Sequence, residues 1–190
     1  TLSSSSAASD VYKRQLVYFI LMFVIIFHAI LLFPELAELS PDLNDSVFHY
    51  SLCVSLKGEI ETLGNPIDHW VPYWCIGYPV FHHYQYFPYL IVVLTYYLFL
   101  RIFSLFFVYH LYIYLLMVFY PIILYCSLRK MRFSRLSSAG AALFSLASCN
   151  INGYGLELGS FIWRGRGLFA QLWAMFLLPP TLTSIYNTLN

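Results

Sequence analysis

Between two strongly hydrophobic runs, residues 42–90 read DLNDSVFHYSLCVSLKGEIETLGNPIDHWVPYWCIGYPVFHHYQYFPYL. Four of the six histidines of the chain fall inside this segment, and eleven of the nineteen residues from Trp70 to Pro88 are aromatic or proline. A connection this long is functional or disordered in most proteins, and so many aromatic side chains argue against disorder. We therefore expect a folded loop that a rigid scaffold presents and that builds a site.

The composition is that of a membrane protein. Hydrophobic residues make up 60% of the 190-residue chain and charged residues 10%, whereas soluble domains carry about 25% charged residues. The net charge of +1 gives no indication of a nucleic-acid partner. We expect an all-α, polytopic helical membrane protein whose long first loop is non-cytoplasmic and carries short interfacial helices. The lipid bilayer is its expected partner, and the oligomeric state stays open.

Residues 1–15 are expected to be foreign to the protein. The stretch 5–15, SSAASDVYKRQ, matches the in-frame translation of a transposase-type sequencing-library adapter, and a natural serine-rich tail is the alternative. Such scars are excluded before the fold is considered. We therefore take residues 16–190 as the N-terminal part of a longer transmembrane domain.

Four runs are expected to cross the membrane, at about residues 16–34, 105–128, 136–150 and 168–186. The first is interrupted only by His28 and approaches the roughly 20 apolar residues that a span requires. The third is rich in alanine and serine, which suits close helix packing in lipid. The fourth contains Pro179 and Pro180, which are expected to kink it.

The hydrophobic stretch Tyr86–Leu128 is too long for one span. A helix over these residues would extend about 64 Å, twice the roughly 30 Å of the hydrocarbon layer. We predict a break at Arg101–Ser104, because an arginine at the bilayer centre costs about 2.5 kcal/mol or more. Either both halves span, or residues 87–101 form an interfacial or re-entrant helix and only residues 105–128 span.

The charge distribution favours the second topology. Residues 35–85 contain seven acids and one base, Lys57, whereas residues 129–135 contain four bases and no acid. The positive-inside rule then puts the basic cluster in the cytoplasm. Loops 35–85 and 150–167 would lie on the non-cytoplasmic face of what we expect to be a prokaryotic inner membrane.

The first candidate site contains Asp42, Asp45 and His49. If the segment after Pro41 is helical, Asp45 and His49 are four residues apart and share a face. A carboxylate beside an imidazole can act as a general base toward a substrate hydroxyl. The alternative is a helix start, with Asp42 or Asn44 as the N-cap and Asp45 complementing the helix dipole. Both interpretations stay open.

The aromatic run Trp70–Tyr86 is the second candidate site. Its rings, among them Trp70, Trp74 and Tyr78, can lie at the membrane interface or bind substrate by stacking on a sugar. His82 is a further candidate for substrate binding. Adjacent histidines point in different directions, and the spacing matches no metal-binding motif, so that no metal or other cofactor is expected.

Two further sets of residues leave alternatives open. Cys53 and Cys75 share the long loop and can pair if it faces an oxidising space. Glu157, Arg164 and Arg166 occupy the later glycine-rich loop. Its arginines are natural partners for a phosphate or pyrophosphate, or else for lipid head groups.

Taken together, these motifs resemble the GT-C integral-membrane glycosyltransferases. Within that superfamily the chain is most similar to the membrane proteins called 6-pyruvoyl-tetrahydropterin synthase-related, over about Leu16–Asn190. The matching residues are Asp45, Phe48, His49, Trp70, Pro72, Trp74, Gly77, Tyr78, Pro79, Tyr86, Pro88, Gly165, Gly167, Gln171, Trp173 and Pro179. The chain departs from the pattern where Asp42 and Asp45 are three residues apart and where Phe87 precedes Pro88.

The resemblance implies a sugar donor linked to polyprenyl phosphate and an active site on the non-cytoplasmic face, in envelope glycan assembly. It implies that a carboxylate of the first outer loop is the base, at the position that Asp45 matches best. His49 accompanies it, and Glu157 falls where many relatives have a second acid. A non-enzymatic protein, either part of a transporter or an assembly scaffold, is the alternative.

Overall fold

The computed structural model describes residues 2–37, 45–72, 76–145 and 169–189. In these ranges the chain forms six α-helices and two 3-10 helices, and the only β-pairing is an isolated bridge between Val71 and Tyr78. The helices are α1 (Leu2–Leu31), α2 (Asp45–Glu61), α3 (Phe87–Leu98), α4 (Leu105–Lys130), α5 (Arg135–Phe144) and α6 (Phe169–Leu189), with 3-10 turns at Phe33–Ala37 and Val80–His82. The all-α prediction is confirmed.

Two helical segments in the described ranges are long and apolar enough to cross a membrane, Ser9–Ala37 and Leu105–Lys130. They correspond to the predicted spans 16–34 and 105–128. The predicted span 136–150 is described only in part, as the ten residues of α5. Helix α6 has 21 residues, which is the length of a span, but it does not meet the same apolarity criterion.

Helix α1 begins at Leu2, so that the segment 2–15 continues the helix of the first hydrophobic run. Its side chains at positions 9–16 are all exposed, and burial begins at Val17. Within 9–16, Lys13 and Asp10 form an exposed ion pair at 4.0 Å. The adapter origin of this segment stays a prediction.

The predicted break near Arg101 is confirmed. Helix α3 ends at Leu98, and α4 begins at Leu105 after Ser104 accepts a capping hydrogen bond from the backbone N–H of Phe107 at 3.0 Å. Leu100 and Arg101 take the left-handed backbone conformation, with φ of 51° and 62°, which turns the chain. With twelve residues, α3 extends only about 18 Å, well short of the roughly 30 Å of the hydrocarbon layer.

Side-chain contacts define the directions of the long helices. Tyr114 of α4 donates to the backbone carbonyl of Ala29 at 3.2 Å, and His110, one turn earlier, reaches Glu35 just beyond α1, so that α1 and α4 are antiparallel. Helix α6 runs parallel to α4, because Phe169 contacts Tyr109 and Thr183 donates to the carbonyl of Ser127 at 3.2 Å.

The acidic loop and the basic cluster therefore lie at opposite ends of α4. Glu35 contacts the beginning of this helix, while Arg129 and Lys130 are in its last turn. The helix has 26 residues and extends about 39 Å. This separation agrees with the preferred topology, in which the two charged regions face opposite sides of a membrane.

Cysteine labelling tests this arrangement in intact cells. The protein carries Cys126→Ser, Cys75→Ala and Cys149→Ala and keeps Cys53, which is buried as a free thiol whose pKa is raised by burial. A membrane-impermeant maleimide should label Leu63→Cys, at a position that is 94% exposed in the loop, and should not label Phe133→Cys until the cells are opened.

The control is the parent protein with Cys53 alone, which should stay unlabelled in both conditions. Labelling of position 133 but not of position 63 in intact cells would reverse the topology.

Candidate functional site

The long loop is joined to the helices by a buried pair of ionisable side chains. His110 Nδ1 donates to Glu35 Oε1 at 2.7 Å, and the two side chains are 7% and 8% exposed. Glu35 belongs to the 3-10 turn that follows α1, and His110 lies in the second turn of α4. Since an unpaired charge would be costly at this depth, the pair holds the start of the loop against α4.

A second buried hydrogen bond joins α2 to α3. His49 Nδ1 and the hydroxyl of Tyr89 are 2.7 Å apart, and both side chains are almost completely buried. Burial lowers the pKa of His49 from 6.5 to about 4, although the carboxylate of Asp45 acts in the opposite direction. His49 is therefore neutral at physiological pH.

Aromatic rings surround this hydrogen bond. The ring of His49 lies 6.3 Å from that of Phe169, the first residue of α6, and Phe169 contacts Tyr109 of α4 at 4.7 Å between ring centroids. The ring of Tyr84 packs against Phe48 and Tyr89 from the loop side. Elements α2, α3, α4 and α6 thus meet at one cluster, on the end of the bundle that carries Glu35.

Asp45 lies at the edge of this cluster. It is the first residue of α2, and it is exposed. Burial raises the pKa of Tyr84, and the nearby carboxylate of Asp45 and the hydroxyl of Tyr78 raise it further. The carboxylate of Asp45 is therefore near Tyr84, whose ring centroid is 6.0 Å from that of buried His49. The helix that was predicted to put Asp45 and His49 on one face is present, but only Asp45 is accessible.

The aromatic loop is closed by a turn that depends on a glycine. Val71 and Tyr78 exchange backbone hydrogen bonds of 3.1 and 3.2 Å. Between them Gly77 has a φ of 91°, and a Cβ at this position would collide with the indole of Trp70. Gly77 thus has a structural role, because it lets the backbone turn close to the indole of Trp70. The side chain of Trp70 is 60% exposed.

His82 is hydrogen-bonded to a carboxylate of the long loop. Its Nε2 donates to Asp68 Oδ1 at 2.8 Å, and both side chains are largely exposed. This hydrogen bond joins two residues of the long loop that are fourteen positions apart. Among the described residues, no group of three or more histidine, cysteine or acidic side chains is placed to hold a metal ion.

Several predicted site residues lie outside the described residues, namely Asp42, Trp74, Glu157, Arg164 and Arg166, as does Cys75. Cys53, which was considered as its disulfide partner, is a free thiol in the hydrophobic core.

Sequence reasoning missed the buried partners. Glu35 was counted only among the seven acids of residues 35–85, and His110 and Tyr89 were not singled out as site residues. The separation of 75 residues between Glu35 and His110 leaves no local pattern that would connect them.

Comparison of the chain with protein-family models, with curated proteins and with solved structures found no match in any of the three. The resemblance to GT-C glycosyltransferases therefore rests on the sequence motifs alone.

The buried imidazole of His49 predicts acid sensitivity. The folded protein takes up the proton only near pH 4, whereas the unfolded chain takes it up near pH 6.5, so that acidification between these values favours unfolding. The stabilisation is complete above about pH 6.5, and roughly 3 kcal/mol of it is lost as the pH falls to about 4. Unfolding in detergent micelles, followed by circular dichroism across this range, measures the effect.

His49→Asn is the matched variant, since an amide can still bond to the Tyr89 hydroxyl but does not titrate. Its unfolding free energy should fall less steeply than that of the parent protein between pH 6.5 and 4. Superimposable pH profiles for the two proteins would show that His49 is not the source of the acid sensitivity.

Proposed function

We propose that this chain belongs to a polytopic membrane protein that transfers a sugar from a polyprenyl-phosphate-linked donor during envelope glycan assembly. The observation that carries the proposal is the exposed carboxylate of Asp45, which lies at the start of α2 and near enough to Tyr84 to raise its pKa. The buried face of the same helix is held by the His49–Tyr89 hydrogen bond. A base on a rigid element can be aimed at a substrate hydroxyl.

The helices support a membrane location for the site. Two of them are long and apolar enough to cross a bilayer, and Asp45 is in the loop at the opposite end of α4 from the basic cluster. With the basic cluster in the cytoplasm, Asp45 faces the non-cytoplasmic side, where a lipid-linked donor presents its sugar. We take this membrane to be a prokaryotic inner membrane.

In the proposed reaction, Asp45 accepts the proton of an acceptor hydroxyl. At the same time, the oxygen of that hydroxyl bonds to the anomeric carbon of the sugar. The bond between that carbon and the phosphate oxygen breaks, and polyprenyl phosphate leaves. Trp70, Tyr78 and His82 lie in the aromatic loop and are proposed to contact the sugar, together with Trp74. Glu157 is proposed as the second acid, and Arg164 and Arg166 as partners of the phosphate.

One observation favours the alternative, a non-enzymatic membrane protein such as a transporter part or an assembly scaffold. Glu35 and His110 are ionisable, buried and paired within or next to the two apolar helices. Ionisable residues at such depth often mark a pathway for ions or protons. In this structure, however, the pair also joins the loop to α4, which is a sufficient reason for its presence.

Asp45→Asn in the full-length protein tests the proposal. Sugar transfer from a panel of polyprenyl-phosphate sugars should fall by about 100-fold or more, as is usual when a general base is removed. Expression and membrane insertion should not change, because Asn begins a helix about as well as Asp. Radiolabelled transfer in isolated membranes gives the readout.

Asp42→Asn is the control, since it removes a neighbouring acid of the same loop and should cost far less. Equal and small losses in the two variants would reject Asp45 as the base and favour the scaffold alternative.

A further inference from the structure

Ser55 of α2, more than two helical turns beyond Asp45, and His69 of the loop that follows α2 have the chemistry of a nucleophile and a base. The hydroxyl of Ser55 is 3.0 Å from His69 Nε2, and His69 Nδ1 is 3.1 Å from the backbone carbonyl oxygen of Pro66. His69 is buried, and Ser55 is half-buried. Neither residue takes part in the sugar transfer proposed above.

The two hydrogen bonds define the tautomer of a neutral His69. A carbonyl oxygen can only accept, so Nδ1 carries the hydrogen and donates to Pro66. Nε2 then holds the lone pair, and the hydroxyl of Ser55 donates to it. Helical serines often donate to their own preceding turn instead, as Ser51 does to the carbonyl of Phe48 at 2.7 Å. Ser55 is thus oriented toward a base, as an activated nucleophile is.

Ser55 also lines a groove that can hold a substrate. The groove lies between α2 and the Trp70–Pro72 segment and has a volume of about 680 Å³, within the usual range for small-molecule sites. Val47, Val54 and Trp70 contribute apolar surface to it. Glu59 is the one charged side chain among the described residues that line it, which favours an uncharged, apolar group over an anion.

We propose that Ser55 and His69 form a nucleophile–base pair that hydrolyses carboxylic esters whose apolar acyl group occupies this groove. Ser55 Oγ bonds to the carbonyl carbon as its proton passes to His69 Nε2. The bond to the alcohol oxygen then breaks, and the alcohol leaves with that proton. Water gives a proton to the same nitrogen, attacks the acyl-serine and releases the carboxylic acid, which restores the Ser55 hydroxyl.

The experiment uses an alkyl fluorophosphonate, whose phosphorus takes the place of the ester carbonyl and whose fluoride leaves. The full chain in detergent micelles should form a covalent adduct on Ser55, identified by mass spectrometry, and should hydrolyse para-nitrophenyl butyrate. Both activities should disappear in Ser55→Ala and fall about 100-fold or more in His69→Gln. Ser184→Ala is the matched control, because Ser184 is an exposed helical serine outside the groove whose hydroxyl donates to the carbonyl of Pro180, and the variant should keep both activities.

The unsubstituted chain supplies a second measurement that does not depend on the folding of any variant. The folded chain should form the adduct and the heat-denatured chain should not, because only the fold holds His69 Nε2 within 3.0 Å of the Ser55 hydroxyl. The proposal is overturned if no adduct forms on Ser55, if His69→Gln reacts as fast as the parent, or if the denatured chain reacts as fast as the folded one.

Discussion

A carboxylate at the end of an apolar helix must be paired when it is buried, and Glu35 meets this requirement through His110. The rest of the described structure depends on that pair. It brings the chain that leaves α1 against the beginning of α4, and it thereby determines at which end of the bundle the loop begins. From there the ring of Phe106 contacts both His110 and Tyr50 of α2, at 4.2 and 5.1 Å between ring centroids.

The same constraint explains why a polar, aromatic loop can be ordered at this end of the bundle. His49 bonds to Tyr89 through Nδ1, although its Nε2 is buried without a hydrogen-bond partner, and His69 bonds to Pro66 and Ser55. Buried polar groups that are satisfied in this way stabilise one arrangement over others. Asp45 is exposed on a helix that the His49–Tyr89 hydrogen bond holds in place.

Some of this structure could be predicted from the sequence because simple lengths and charges decide it. A bilayer is too thin for the helix that residues 86–128 would form, and the break occurs at Arg101 as that argument requires. The helix that begins at Asp45 follows from its sequence in the same way. Pairings between distant residues could not be predicted, because a local pattern does not show that Glu35 meets His110. Equally, the spacing of Asp45 and His49 does not show that one is exposed and the other buried. Gly77 appeared in the sequence only as one residue of a family resemblance, whereas its left-handed backbone conformation beside Trp70 explains why a glycine is needed there.

The central claim is that the Glu35–His110 pair joins the loop to the bundle, and a double-mutant cycle tests it most directly. The unfolding free energy in detergent micelles is measured for the parent, Glu35→Leu, His110→Leu and the double variant. Removing one partner leaves the other buried without its counterpart and should cost about 3–5 kcal/mol, whereas removing both should cost much less than the sum of the single losses. Strictly additive losses would show that the two side chains act independently and would contradict the account.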